Sequence, residues 1–96
     1  GTILSAEINN QLIKPSIVMS IDFGKSVGVK KSSAQLINNY SYKTLINKQI
    51  LAVINFSPKQ IGNLISEVLV LGLPDDNNQT VLVIPEYKIQ NGKKLF

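Results

Sequence analysis

Apolar and polar positions alternate over much of the chain. Ile17, Met19, Ile21 and Phe23 fall on one side of the segment from 17 to 23, and Val18, Ser20 and Asp22 on the other. That spacing of two predicts a half-buried strand, closed by Gly24. Val27 to Lys31 follows as its hairpin partner. Thr2 to Ile8 alternates in the same way, with Leu4, Ala6 and Ile8 on one side. Three later runs, Ile50 to Ile54, Val68 to Leu71 and Val81 to Ile84, are apolar at nearly every position, short and rich in β-branched residues. They predict strands buried on both faces. Pro58 and Gly62 punctuate the first gap between them, Pro74 to Asn78 makes the second a turn, and Asn91-Gly92 marks a tight turn near the end. Only Ser41 to Ile46 has a brief helical pattern. The expectation is one all-β domain over 1–96, a small barrel or sandwich. Its apolar outer faces need a cover, which predicts a homodimer.

Composition narrows the chemistry more than the fold. The 96 residues contain no Cys and no His. Disulfides, thiolate catalysis, the Ser-His pairing and the common zinc ligand sets are therefore unavailable. Of the six carboxylates, none forms an acid–base pair by spacing, and Asp75-Asp76-Asn77-Asn78 lacks the ligand spacing of a calcium loop. The expectations are no catalytic residue, no metal and no cofactor. No apolar run approaches a membrane span, no signal segment opens the chain, and the absence of Cys fits the cytoplasm. The Asn-x-Ser/Thr triplets at Asn39, Asn55 and Asn78 are coincidences of an Asn-rich chain. The net charge is +4, and all ten basic residues are Lys. Such a surface suits a polyanion through point charges rather than guanidinium forks, and equally suits plain solubility.

Two stretches carry groups that fit nucleic acid. Lys30-Lys31-Ser32-Ser33-Ala34-Gln35 sets two cations beside hydroxyls and an amide, suited to phosphates and base edges; the alternative is a solvated strand end. Asn55-Phe56-Ser57-Pro58-Lys59-Gln60 sets an aromatic ring near a cation, suited to stacking a base while holding phosphate; the alternative for Phe56 is a core ring before a Pro turn. Ser66 opens the next apolar run as a ligand contact or an edge cap. Tyr40 and Tyr42 stack bases or pack.

Three segments in order, IDFGKSVGVKKSSAQL (21–36), LINKQILAVINFSPKQIG (45–62) and SEVLVLGLPD (66–75), together with the tail IPEYKIQNGKKL (84–95), resemble the CsaA-like branch of the tRNA-binding domain family over essentially the whole chain. The resemblance implies a five-stranded oligonucleotide-binding (OB) barrel with a short helical turn and added C-terminal strands. It implies binding of tRNA or another structured RNA without catalysis, and a homodimer. It also implies an alternative role, a secretion-related chaperone holding unfolded or exported polypeptides on apolar surfaces. A third possibility is a module that tethers to a synthetase. The chain opens at the Gly-x-Ile strand, without the helical stretch that usually precedes it in the family. Ser66-Glu67-Val68-Leu69 stands where the tRNA-binding branch has Ser-Gln-Gly-Met, so an anion replaces a neutral amide at Glu67. The residues expected to meet RNA are Lys30, Lys31, Ser32, Ser33, Gln35, Asn55, Phe56, Lys59 and Ser66.

Overall fold

The computed structural model describes residues 1–10, 15–55, 57–61 and 64–96. Among them are nine strands and one short helix. Strands β1 (Thr2–Asn9), β2 (Ser16–Asp22) and β3 (Val29–Ala34) form an antiparallel sheet in that order. Strand β4 (Ala52–Val53) pairs with β7 (Leu69–Val70), β5 (Lys59–Ile61) with β6 (Leu64–Ser66), and β8 (Gly72–Pro74) with β9 (Thr80–Leu82). The structure is thus mostly strand with almost no helix, as the alternation predicts.

Main-chain hydrogen bonds continue between these sheets. The free edge of β1 is bonded to residues 47–50, through Ile3 N–H to the Lys48 carbonyl (2.9 Å) and Asn47 N–H to the Ile3 carbonyl (2.8 Å). The free edge of β3 meets β6 and the residue after it, with Glu67 N–H donating to the Lys31 carbonyl (2.8 Å). Leu51, Leu71 and Val83 form a third junction, in which each donates to or accepts from the next at 2.9–3.1 Å. The core sits inside this arrangement. Ile3, Ile17, Met19, Ile21, Leu36, Leu45, Ile50 and Val68 are almost fully buried, with Phe23 and Leu82 beside them. Each such side chain contributes roughly 1.5–3 kcal/mol of burial free energy.

Local details depart from the expectation in instructive ways. In β1 the register slips between Ile3 and Ser5, so Ile3 faces Ile21 while Ala6 faces Met19. Leu4 is the extra residue. The bulge hands the core position to Ile3 and pushes Leu4 outward, which corrects the expected Leu4, Ala6, Ile8 face. The partner of β2 begins at Val29 rather than Val27 and runs on to Ala34. Lys59 lies in a strand rather than a loop, and Ser66 ends β6 rather than opening the next strand. The three apolar runs are not buried on both faces within one chain: Ile54, Leu69, Val81 and Ile84 remain exposed. The helical turn forms where expected, as α1 (Tyr42–Leu45). Ser41 caps it, accepting from Thr44 N–H at 3.3 Å while Thr44 Oγ1 accepts from Ser41 N–H at 3.2 Å. Four residues cannot hold a helix alone, and the fully buried Leu45 anchors it.

Candidate functional site

The six-residue strand β3 carries most of the expected site. Its register sets Lys30 opposite Ile21, Lys31 opposite Ser20, Ser32 opposite Met19 and Ser33 opposite Val18. Directly opposed residues share a face, and successive ones alternate. Lys30 and Ser32 therefore lie on the face that holds Ile21 and Met19, and Lys31 and Ser33 on the outer face with Ser20 and Val18. The two lysines, adjacent in sequence, serve different surfaces. Lys31 is exposed; Lys30 is half-buried at the edge of the core side.

The next layer is a seam of hydroxyls along the other edge of β3. Ser66 Oγ accepts from Ser33 N–H (3.2 Å) and donates to the Val68 carbonyl (2.9 Å). Ser32 Oγ donates to the same carbonyl at 3.3 Å, and the Ser33 hydroxyl shares a 2.9 Å bond with that of Ser16. Ser32 and Ser66 are buried. Both hydroxyls donate to the Val68 carbonyl, within the protein's own main chain. The buried side takes Ser32 because strand alternation places it opposite Met19, and a small hydroxyl with a carbonyl within reach is satisfied there.

Beyond the seam, β5 pairs with β6 so that Lys59 lies opposite Ser66. The structure thus gathers Lys31, Ser33, Ser66 and Lys59 around the β3–β6 junction, and Lys31 and Lys59 are exposed. Gln35 is exposed just past the end of β3. Asn55 is exposed after β4 and lines a different feature, a cleft of about 590 Å³ whose walls include Phe23, Ile50, Leu71 and Lys94. Phe56 lies outside the described residues. A second cleft, of about 620 Å³, lies between the C-terminal segment and β1, lined by Thr2, Gln49, Tyr87 and Asn91 among others. Neither cleft contains Lys31, Ser33 or Lys59. At this junction Lys31 and Lys59 are exposed, Ser33 is half-buried and Ser66 is buried.

Residue-type reasoning missed two parts. Glu67 takes a structural role at the junction: its Oε1 accepts from Lys31 N–H at 3.0 Å while its own N–H is bonded to the Lys31 carbonyl. Gln49 holds the C-terminal segment, donating to the Ile89 carbonyl (2.6 Å) and accepting from Ile89 N–H (3.0 Å). Both depend on partners some 36–40 residues away, which no local motif reveals. Among the described residues no group of three His, Cys, Asp or Glu is arranged to hold a metal ion, and no helix is long and apolar enough to cross a membrane.

Comparison with known proteins sets this chain in a family. Residues 1–94 match the family described as "Putative tRNA binding domain". A crystal structure of the chaperone CsaA from Bacillus anthracis str. Ames is 42% identical, with a TM-score of 0.92, over 100% of this chain and 86% of that one. The CsaA chaperone protein from Picrophilus torridus is 44% identical, with a TM-score of 0.90, over 99% of this chain and 86% of that one. The MetRS related protein from Pyrococcus horikoshii shares the fold at 18% identity, with a TM-score of 0.85, over 100% of this chain and 85% of that one. The chain is a CsaA-like member of the tRNA-binding domain family.

Proposed function

We propose that this chain is a single non-catalytic domain that binds tRNA or another structured RNA through the surface around the β3–β6 junction. The observation that carries the proposal is the family match, which runs from residue 1 to residue 94 and so includes every residue of that surface. The exposed Lys31 and Lys59 supply phosphate contacts, Lys30 reaches phosphate from the neighbouring edge, and Ser33 and Gln35 supply polar groups for splayed bases, with Asn55 a further contact at the separate cleft after β4. Phe56 is the aromatic of the proposal. Ser32 and Ser66 act indirectly, by fixing β3 against β6.

The continuity of main-chain hydrogen bonds supports reading the small sheets as parts of one OB barrel. β1, β2 and β3 are followed by the 64–71 segment, then by the 47–53 segment, which returns to β1. In that arrangement β8 and β9 are the added C-terminal strands. The absence of His and Cys and the lack of an acid–base pair support a binding rather than a catalytic role.

The exposed apolar residues favour a second activity on the same scaffold. Ile65, Leu69 and Leu73 are 54–64% exposed. A homodimer covering part of this surface, or an extended unfolded polypeptide laid on it, would remove that area from water. The CsaA relatives are chaperones by name, in keeping with such a surface.

The test is binding of bulk tRNA and of an unfolded polypeptide at several salt concentrations. If about five lysines meet phosphates on a single-stranded element, log K should fall with log salt at a slope near −3.5, and Lys31→Glu or Lys59→Glu should each reduce the slope by about 0.7. A flat salt dependence with unchanged affinity in both variants overturns the RNA assignment. Selective retention of polypeptide binding would then favour the chaperone role. Light scattering at micromolar concentration reads the dimer, and a monomer mass refutes it.

A further inference from the structure

Glu67 is held in a way that a strand-edge glutamate ordinarily is not. Long charged side chains at sheet edges are usually solvated and mobile. Here the residue is bonded twice to Lys31: its N–H to the Lys31 carbonyl at 2.8 Å and its Oε1 to the Lys31 N–H at 3.0 Å. The carboxylate does the work of a missing strand carbonyl, and the arrangement fixes its direction. An ionised carboxylate only accepts hydrogen bonds, and it has acceptor capacity beyond this one contact. Lys31 N–H engages Oε1. The residue is only half-buried, beside the exposed Lys31 and next to Ser66, which faces Lys59 across the hairpin.

A fixed anion among phosphate-seeking lysines has two chemical consequences. It repels a phosphate from its own position, and it accepts from a donor placed there. On an RNA strand the amino groups of cytosine N4, adenine N6 and guanine N2 are neutral donors. Uracil has no amino group and offers only an N3–H flanked by two carbonyl oxygens that a carboxylate repels, while the 2′-hydroxyl is common to every nucleotide and gives no preference. Splayed bases present these edges in the single-stranded elements that proteins recognise. We propose that Glu67 is a specificity-determining residue that accepts a hydrogen bond from the amino group of a base and keeps the phosphate chain to its flanks, where Lys31 and Lys59 lie. This rests on the RNA-binding reading above.

The experiment measures binding of oligo(C), oligo(A) and oligo(U) at one fixed salt concentration, by fluorescence anisotropy, for the wild type and for Glu67→Gln. The amide keeps an acceptor for Lys31 N–H but loses the charge. The wild type should bind oligo(C) and oligo(A) about fivefold tighter than oligo(U), the size of a single accepted base contact at a half-exposed position. In Glu67→Gln that ratio should fall below about twofold, chiefly through a gain for oligo(U), because the amide can also donate to a uracil carbonyl. The wild-type ratio needs no variant, so the proposal stays testable even where the substitution disturbs folding. Equal wild-type affinities for the three oligomers overturn it, as does a Glu67→Gln protein that shifts all three by one common factor, the mark of charge alone. Failure of the wild type to bind any oligomer or tRNA overturns the RNA reading and this inference together, whereas tight binding without base preference overturns the inference alone.

Discussion

Tyr40 offers a sharp test of how this small core is held. Leu82 sits in β9 opposite Gly72, and Val83, one residue on, donates its N–H to the Leu71 carbonyl. Hydrogen-bonded and non-bonded pairs alternate along an antiparallel ladder, so the Leu82 N–H points away from β8. It is taken instead by the Tyr40 hydroxyl at 3.0 Å. The ring packs against the core cluster that contains Leu82, itself only 7% exposed. Tyr40→Phe keeps the ring and removes the single oxygen, leaving a largely buried donor with no acceptor. Such an orphan costs about 1–2 kcal/mol at a partly buried position. For a domain of this size that corresponds to a melting temperature lower by roughly 4–15 °C. Urea denaturation should show a lower midpoint at an unchanged slope, since the surface exposed on unfolding is the same. Amide exchange should quicken at Leu82 more than elsewhere in β9. A melting temperature within about 2 °C of wild type, with Leu82 still protected, would mean that this N–H is satisfied some other way, and the reasoning would fail.

Two further outcomes follow from backbone and charge. Gly92 has φ +91, and a Cβ there would lie 2.7 Å from the Phe23 carbonyl oxygen, whereas Gly28 has φ +83 with open space around it. Gly28→Ala should therefore cost only the left-handed backbone penalty of about 1–2 kcal/mol, and Gly92→Ala clearly more, in parallel thermal melts; equal losses would refute the claimed contact. The Asp75 carboxylate accepts from Gln79 N–H and Asn39 Nδ2, and also from Asn77 N–H, which together lower its pKa below the ordinary 3.8. Because the folded value is the lower one, the contribution of the charged form is complete above 3.8 and fades as pH falls toward the folded value. A carbon-detected titration should place the Asp75 midpoint below 3.8, and a midpoint at or above that value contradicts the turn geometry.

Alternation was a good guide where one residue per step was kept. The faces of β2 follow directly from Ile17, Met19, Ile21 and Phe23, all of which are buried. It failed in β1 because a bulge adds a residue without any mark in composition, and Leu4 differs from Ile3 only by its place relative to β2. The site was legible as a list of polar and cationic residues but not as a geometry. Lys30 and Lys31 read as one basic run, yet the pleat sends them to opposite faces. The β5–β6 hairpin lacks alternation and was hidden behind Pro58. The clamp of Glu67 on Lys31 and that of Gln49 on Ile89 join residues far apart in the chain, and only the fold brings them together.

The Ser66 hydroxyl has a consequence for any mutational survey of this surface. It accepts from Ser33 N–H and donates to the Val68 carbonyl, so position 66 requires a small group that both gives and takes a hydrogen bond in a space that is 6% exposed. Alanine silences both partners, and valine fills the gap without satisfying either. A variant at this position that no longer holds RNA would therefore be indistinguishable, on that result alone, from the loss of a direct contact. Ser66 works as a keystone does in an arch: its effect is on what stands to either side of it.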